Sequence, residues 1–401
     1  MTAQTILLSN EIIEDSWDFK GSDTQYSTHG MHTYLAAMIP PVARRLIEKT
    51  VPKNGKILDP FCGGGAVLVE SILNKIPAVG IDINPLAVLI SKAKTHYIKQ
   101  SDLHNTYELV ITNAKRYTGD ARQFPKNYKI EYWFKDYMIR PLTALIIQIE
   151  KIQDQQIKTF FETVFSATVR DVSLTYRNEQ RLRRLEPQDF ERFKPDVFDT
   201  FKKRSFDSMT RLNTLPKNAS TDVRLGSVLD LPFKNKEFTN IICSPPYGDE
   251  RNGVPYSQFS KNMLIWLGHK REDLLNLKKV SLGGTSQDKP EFESSYLTEE
   301  LKNLTNITTK TEAISYYNDY FKALTEMIRV TSHYISIVIG NRTLQARVIN
   351  NGKITVEFMK SLGATLEKEY KRNLPHKRLP QMGNHYGAEI NKEDILIFRM
   401  N

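Results

Sequence analysis

Residues Lys56–Leu73 read KILDPFCGGGAVLVESIL. A short apolar run ends in an acid and a proline, three glycines follow, and apolar residues then recur at helical spacing. That is the pattern of strand, turn and helix, in which Gly63, Gly64 and Gly65 leave no side chain between the backbone and whatever approaches it. A second apolar run, Ala78–Asp82, predicts another strand, and Pro85 to about Thr95 predicts the helix after it. The unit is β-α-β with parallel strands, so the glycine turn falls at the carboxyl end of the first strand, where open parallel sheets bind ligands.

On the amino-terminal side, residues 34–49 have helical spacing, with a helix starting near Pro41. On the carboxyl side the alternation stops. Residues 100–220 are mostly helical in pattern, as in Tyr132–Lys151, before strands return at Val223–Gly226, Phe238–Cys243, Tyr334–Gly340 and Ile395–Phe398. The expected fold class is α/β: one mostly parallel, Rossmann-like sheet with helices on both faces and a mainly helical insert. The sheet domain would comprise residues 1–98 and 221–401, with the insert at 99–220 and a polar loop at 269–312. Within that loop, Ser281–Asp288 reads as a flexible segment.

Among the 401 residues the formal net charge is +10, which suits a partner carrying phosphates. The two cysteines, Cys62 and Cys243, give neither a disulfide framework nor zinc-ligand spacing, and no metal is expected. The first fifteen residues are acidic where a signal peptide is basic, and no apolar run reaches the roughly 20 residues of a spanning helix, so a cytoplasmic protein is expected.

Asp82, at the end of the second strand, stands where such folds hydrogen-bond a ribose. With the glycine turn it points to an adenosine-containing cofactor. The dinucleotide fingerprint would need glycine at Leu68, so NAD fits poorly. The strand 238–243 runs into Ser244-Pro245-Pro246-Tyr247. Methylating an exocyclic amine requires acceptors that hold its hydrogens and turn its delocalised lone pair toward a methyl donor. The Ser244 hydroxyl and the Pro245 carbonyl supply two, proline's fixed φ stiffens the corner, and Tyr247 offers a flat face for an extruded base.

Asp59–Gly65 and Ser244–Tyr247 together resemble the DNA amino-methyltransferases, which use S-adenosylmethionine to methylate adenine N6 or cytosine N4. Phe61, Gly63 and Gly65 match their F-x-G-x-G turn, and Ser244–Tyr247 match their D/N/S-P-P-Y/F corner. Serine at the first position of the corner resembles the cytosine-N4 branch of bacterial restriction-modification systems. The resemblance implies a cofactor site of His32, Thr33, Tyr34, Asp59, Phe61, Cys62, Gly63, Gly65, Asp82, Ile83, Ser227 and Asp230. Ser227 stands where many relatives have Asp. It also implies catalysis by Ser244, Pro245, Pro246 and Tyr247, duplex DNA as substrate, a partner endonuclease and a monomeric enzyme. Cytosine-C5 enzymes use a nucleophilic cysteine after proline; Cys243 precedes Ser244 and reads as a small buried apolar residue.

DNA contacts are expected from Arg170, Tyr176, Arg177, Arg181, Arg183 and Arg184, which track phosphates or read guanine, and from Tyr256, Lys377 and Arg378. The alternative for residues 169–185 is a solvated helix. Trp133, Phe160, Phe161 and Phe165 read as insert core. Three other functions stay open from sequence: adenine-N6 methylation, guanine-N2 methylation of tRNA, and a non-catalytic DNA-binding protein on this scaffold.

Overall fold

The computed structural model describes residues 16–176, 182–248, 255–374 and 392–401. Helix α1 spans Pro40–Thr50; Ile39 is extended, as a residue before proline must be, and the prolines occupy the first turn. The opening β-α-β unit follows as β1 (Ile57–Asp59), α2 (Ala66–Leu73), β2 (Ala78–Asp82) and α3 (Pro85–Thr95). Gly65 starts α2 at φ 80°, the left-handed region open to glycine. Asn84 caps α3 by accepting from the Leu86 backbone N–H at 3.0 Å.

A helical body comes next: α4 (Gln100–Lys115), α5 (Ile130–Trp133), α6 (Asp136–Glu150), α7 (Gln155–Val172), α8 (Pro187–Arg192) and α9 (Val197–Leu212). The expected helix from Tyr132 is broken, because Phe134 is extended and buried between α5 and α6. Phe160, Phe161 and Phe165 are fully buried, with Trp133 packed against the same cluster, as expected of insert core. Residues 169–185 are not one helix. After Val172 the chain turns, Leu174 is buried, and Thr175 pairs antiparallel with Arg184.

The sheet resumes with β3 (Asp222–Leu225) and β4 (Phe238–Cys243). Then come α10 (Tyr256–Trp266), α11 (Arg271–Val280), α12 (Ser295–Lys302), α13 (Ile307–Val330), β5 (Thr331–Gly340), the hairpin β6 (Arg342–Leu344) and β7 (Arg347–Ile349), α14 (Asn351–Ser361), β8 (Thr365–Asn373) and β9 (Lys392–Arg399). Residues 269–312 are thus not a loop: they carry α11 and α12. Ser281–Glu291 is pinned to α13, where Asp319 accepts from the Gly283 N–H and Asn318 from the Glu291 N–H, both at 2.8 Å.

Among the described residues seven strands form one sheet in the order β3-β2-β1-β4-β5-β9-β8, parallel from β3 to β5 and antiparallel at β9 and β8. Alternate residues face opposite layers. Leu58, Ile241, Cys243 and Ile337 pack with α13 and α14, while Ile57, Ile242, Val338 and Ile395 pack with α1. Strand order reverses between β1 and β4, and such a switch point opens a crevice beyond the carboxyl ends of both strands. The glycine turn leaves one of them and the Ser-Pro-Pro-Tyr corner leaves the other.

Candidate active site

At that crevice lies a cleft of about 960 Å³ including its open mouth. Its lining includes Tyr34, Asp59, Phe61, Cys62, Gly63, Asp82, Ile83, Ser227, Ser244, Pro246 and Tyr256, so both sequence motifs meet in one cavity. Gly65 shapes the turn rather than the wall.

The glycine turn is locked from two sides. Gly63 donates its N–H to Asp82 Oδ2 at 2.9 Å, and Ser91 Oγ donates to the Gly63 carbonyl at 2.8 Å. Asp82 Oδ1 accepts from the Asn84 N–H at 2.8 Å, while Asp59 Oδ1 accepts from the Phe61 N–H at 3.1 Å. Burial pushes the Asp59 carboxyl up to about 8 and Asp82 up to about 6, with Asp82 adding to the rise at Asp59. A buried acid and a half-buried one at the same cleft suit a ligand that brings positive charge and hydroxyl donors.

The segment before α1 closes the near side through Tyr34, as expected, and through Leu35 to Met38, but not through His32 and Thr33. Tyr34 covers the turn, and a Cβ on Gly64 would lie 2.9 Å from the Tyr34 Cβ. Leu35 to Met38 complete that wall. His32 does not face the cleft. Its buried ring has Nδ1 2.7 Å from the Thr33 carbonyl and Nε2 3.0 Å from Ser166 Oγ, and burial pulls it down to about 3, keeping it neutral. Thr33 is exposed. Lys94, buried and pulled down to about 7 by desolvation, donates to the His29 and His32 carbonyls at 3.0 and 2.9 Å and so ties the segment to α3. The fully buried Glu70 ties it to α2 by accepting from Tyr26 and from Arg44 Nε at 3.0 Å, with His29 Nε2 at 2.8 Å. Burial lowers His29, so the cation facing Glu70 is Arg44.

The far wall comes from a region that sequence reasoning took for a loop: Leu277, Val280, Ser281 and Leu282 of α11 and its exit. Ser227 lines the cleft but its Oγ accepts from the Leu229 N–H at 3.2 Å, and Asp230 is exposed beside it, outside the lining. Tyr256, expected to touch DNA, stacks on Tyr34 with ring centroids 6.1 Å apart and lies in the cleft wall.

The Ser-Pro-Pro-Tyr corner is held by backbone acceptors. The Tyr316 hydroxyl of α13 donates to the Pro246 carbonyl at 2.6 Å, and Asn351 Nδ2 donates to the Tyr247 carbonyl at 3.1 Å. The Tyr247 ring is wedged on β5, since a Cβ on Gly340 would lie 2.6 Å from its Cε2. Cys243 is fully buried, and burial raises its thiol, as suits an inert core residue.

Of the expected DNA residues, Arg170 lies over the Phe259 ring at 4.4 Å, Arg183 over Tyr176 at 4.2 Å, and Arg184 over Tyr132 at 4.4 Å. The Tyr176 hydroxyl donates to Asp189 at 2.7 Å. Arg177, Arg181, Lys377 and Arg378 lie outside the described residues.

Comparison with known proteins decides what kind of cleft this is. A family model described as DNA methylase, of the N6/N4 kind, matches residues 7–93, which contain the glycine turn and Asp82. The type II methyltransferase M.MvaI of Kocuria varians is 31% identical over 95% of this chain and 93% of its own length. The chain belongs to the N6/N4 DNA methylase family. It is a DNA methyltransferase of the type II kind, and its methyl donor is S-adenosylmethionine. A second relative, the type II methyltransferase M.MjaII of Methanocaldococcus jannaschii, is 26% identical over 27% of this chain and 19% of its own. Among solved structures, the rRNA methyltransferase aviRa of Streptomyces viridochromogenes aligns over 92% of this chain and 88% of its own, at TM-score 0.31 and 11% identity. The lining of the cleft is chemically compatible with that cofactor: Asp82 and Asp59 each accept from backbone N–H groups and keep further lone pairs for hydroxyl or ammonium donors.

Proposed function

We propose that this enzyme methylates the N4 amino group of cytosine in duplex DNA. The observation that carries the reading is Ser244, the serine form of the amino-methyltransferase corner, lying in the same cleft as the glycine turn. Bound there, S-adenosylmethionine would supply a methyl group on a sulfonium: the amine lone pair would form the N–C bond, the S–C pair would stay on sulfur, and the methylated amine would lose one proton to solvent.

The protein's part is orientation. Tyr316 and Asn351 occupy the carbonyls of Pro246 and Tyr247, and among the described residues none donates to the Pro245 carbonyl. In this reading Ser244 Oγ, which lines the cleft, and the carbonyl of Pro245, a buried residue outside the lining, hold the two amine hydrogens, and Tyr247, also outside the lining, stacks on the flipped base once that base enters. Tyr34, Asp59, Phe61, Cys62, Gly63, Asp82, Ile83 and Ser227 hold the cofactor, and Gly65 shapes the turn that presents them. DNA runs along the basic turn after α7, which adjoins the cleft because Arg170 packs on Phe259 of α10. Arg177, Arg181, Lys377 and Arg378 belong to the same reading as further DNA contacts. Pairing with a restriction endonuclease, a cytoplasmic location and a monomeric state belong to the same reading. Among the described residues no helix is long and apolar enough to cross a membrane.

The test is mass spectrometry of nucleosides from unmethylated duplex DNA incubated with the protein and isotope-labelled S-adenosylmethionine, with Tyr247→Ala as control. Labelled N4-methylcytosine supports the reading. N6-methyladenine corrects the base and keeps the mechanism, and label in tRNA alone overturns the DNA substrate.

A further inference from the structure

Ser244 is a rotor. Its hydroxyl carries one proton and keeps lone pairs for accepting, so it can present either to a neighbouring amine. Holding an amine hydrogen requires the lone pairs, and the serine proton must therefore point elsewhere.

The structure supplies a destination. Ser244 Oγ lies 3.3 Å from the Tyr247 hydroxyl, which lies 2.8 Å from Glu393 Oε1. Glu393 Oε2 accepts from Arg372 Nη1 at 2.8 Å. Arg372 and Glu393 are directly paired across β8 and β9, with side chains only 7% and 12% exposed. A carboxylate ion-paired to a guanidinium only accepts, so the Tyr247 hydroxyl donates to it. The phenolic oxygen can then act toward Ser244 only as an acceptor. That turns the serine proton toward Tyr247 and leaves the Ser244 lone pairs for the target amine.

We propose that Glu393 and Arg372 are positioning residues that fix Ser244 as a hydrogen-bond acceptor through the Tyr247 hydroxyl. The chain of donation runs from target amine to Ser244, to Tyr247, to Glu393, with Arg372 donating to Glu393 from the other side. No proton is transferred along it. The Tyr247 ring is held separately, by Gly340 and by the Asn351 contact to its carbonyl, so orienting the hydroxyl and placing the ring are separable functions. The inference rests on Ser244 meeting the target amine; it does not depend on which base carries that amine.

The experiment is a double-variant cycle in the full chain, read as single-turnover methyl transfer to saturating duplex DNA, with DNA affinity and melting temperature measured in parallel. Tyr247→Phe keeps the ring and leaves the Arg372–Glu393 pair intact; Glu393→Gln swaps the obligate acceptor for an amide. Each is expected to slow the step about 10- to 100-fold with DNA affinity unchanged. In a Ser244→Ala background, where no proton needs orienting, each should cost less than about 3-fold more. Equal losses with and without Ser244, or a loss confined to DNA affinity, overturn the relay. Should Glu393→Gln fail to fold, the Tyr247→Phe arm decides alone. A wild-type chain that labels no base would overturn the methyl-transfer reading and the relay with it, whereas an active wild type with additive variants sinks only the relay.

Discussion

Asn84 Nδ2 donates to the Tyr34 hydroxyl at 2.9 Å and to Ser260 Oγ at 2.8 Å, while its Oδ1 caps α3. One side chain thus starts a helix, holds the tyrosine that covers the glycine turn, and reaches α10. The cap separates from the two side-chain contacts by substitution. Asn84→Ser keeps a capping oxygen but cannot span to Tyr34 or Ser260, so it should weaken S-adenosylmethionine binding about 5- to 10-fold, the worth of about one hydrogen bond, and lower stability by about 1 kcal/mol through the lost Ser260 bond. Asn84→Ala should show the same loss of affinity and fall about 1 kcal/mol further in stability than Asn84→Ser, because it also loses the cap. Calorimetric titration with the cofactor, beside thermal melts, checks both.

Asp59 makes the ligand-free enzyme's stability depend on pH. Its carboxyl sits at about 8 when folded, against roughly 3.9 when exposed, so the folded chain holds the proton more tightly. That contribution is complete below about pH 4 and is lost as pH rises toward 8. Asp59→Asn cannot ionise. Without cofactor it should melt about 2–4 °C above wild type at pH 8, with the gap closing near pH 4. The same variant should bind S-adenosylmethionine more weakly, because a cation gains nothing from a neutral amide. A gap that is flat with pH would show that Asp59 is ionised throughout.

Tyr316 is the donor that occupies the Pro246 carbonyl, and its ring is stacked on Tyr320 with centroids 5.8 Å apart. Tyr316→Phe keeps the stack and removes only the hydroxyl. A corner carbonyl released in this way competes with Pro245 for the amine, so turnover should fall about 10-fold at unchanged DNA affinity, in line with the cost of an unmade buried hydrogen bond. Steady-state kinetics separate the two: a rise in KM for DNA with kcat intact would assign Tyr316 to binding instead.

The sheet and the two motifs were legible because their signals are local. Ile57–Asp59, the glycine run and Asp82 carry the β-α-β pattern within thirty residues, and Ser244–Tyr247 interrupts an apolar strand. What escaped was long-range or lacked apolar alternation. Thr365–Asn373, TLEKEYKRN, is an edge strand nearly bare of apolar residues, so nothing marked it as sheet or Arg372 as a partner for Glu393. Residues 269–312 are polar because α11 exposes most of its surface, yet Leu277 is turned inward and Val280 reaches the cleft. His32, Thr33 and Tyr34 share one stretch of sequence, and only the fold separates them: the His32 ring meets Ser166 in the helical body while Tyr34 lines the cleft. Asn84 did leave a signal: an Asn-Pro pair directly after the strand, at a helix start.

The basic turn after α7 contains two kinds of arginine, and their contacts predict different phenotypes. Arg184 is packed between Tyr132 at 4.4 Å and Phe190 at 5.1 Å, so it belongs to the turn's own structure. Arg183 lies over Tyr176, 3.7 Å from Glu186, with half of its side chain exposed. Arg184→Ala should lower stability by about 0.5–2 kcal/mol, the worth of a desolvated cation–π contact, and weaken DNA binding only through that loss of order. Arg183→Ala loses an exposed cation–π contact and should lower stability less than Arg184→Ala, by about 0.5–1 kcal/mol, while weakening binding to specific and non-specific duplexes alike and reducing the slope of log K against log salt by about 0.9, one phosphate contact. Salt titrations of both variants on two unrelated duplexes distinguish these outcomes. If Arg184→Ala instead melts like wild type and loses discrimination between the duplexes, that arginine reads a base edge, and the contacts with Tyr132 and Phe190 hold it ready for that role.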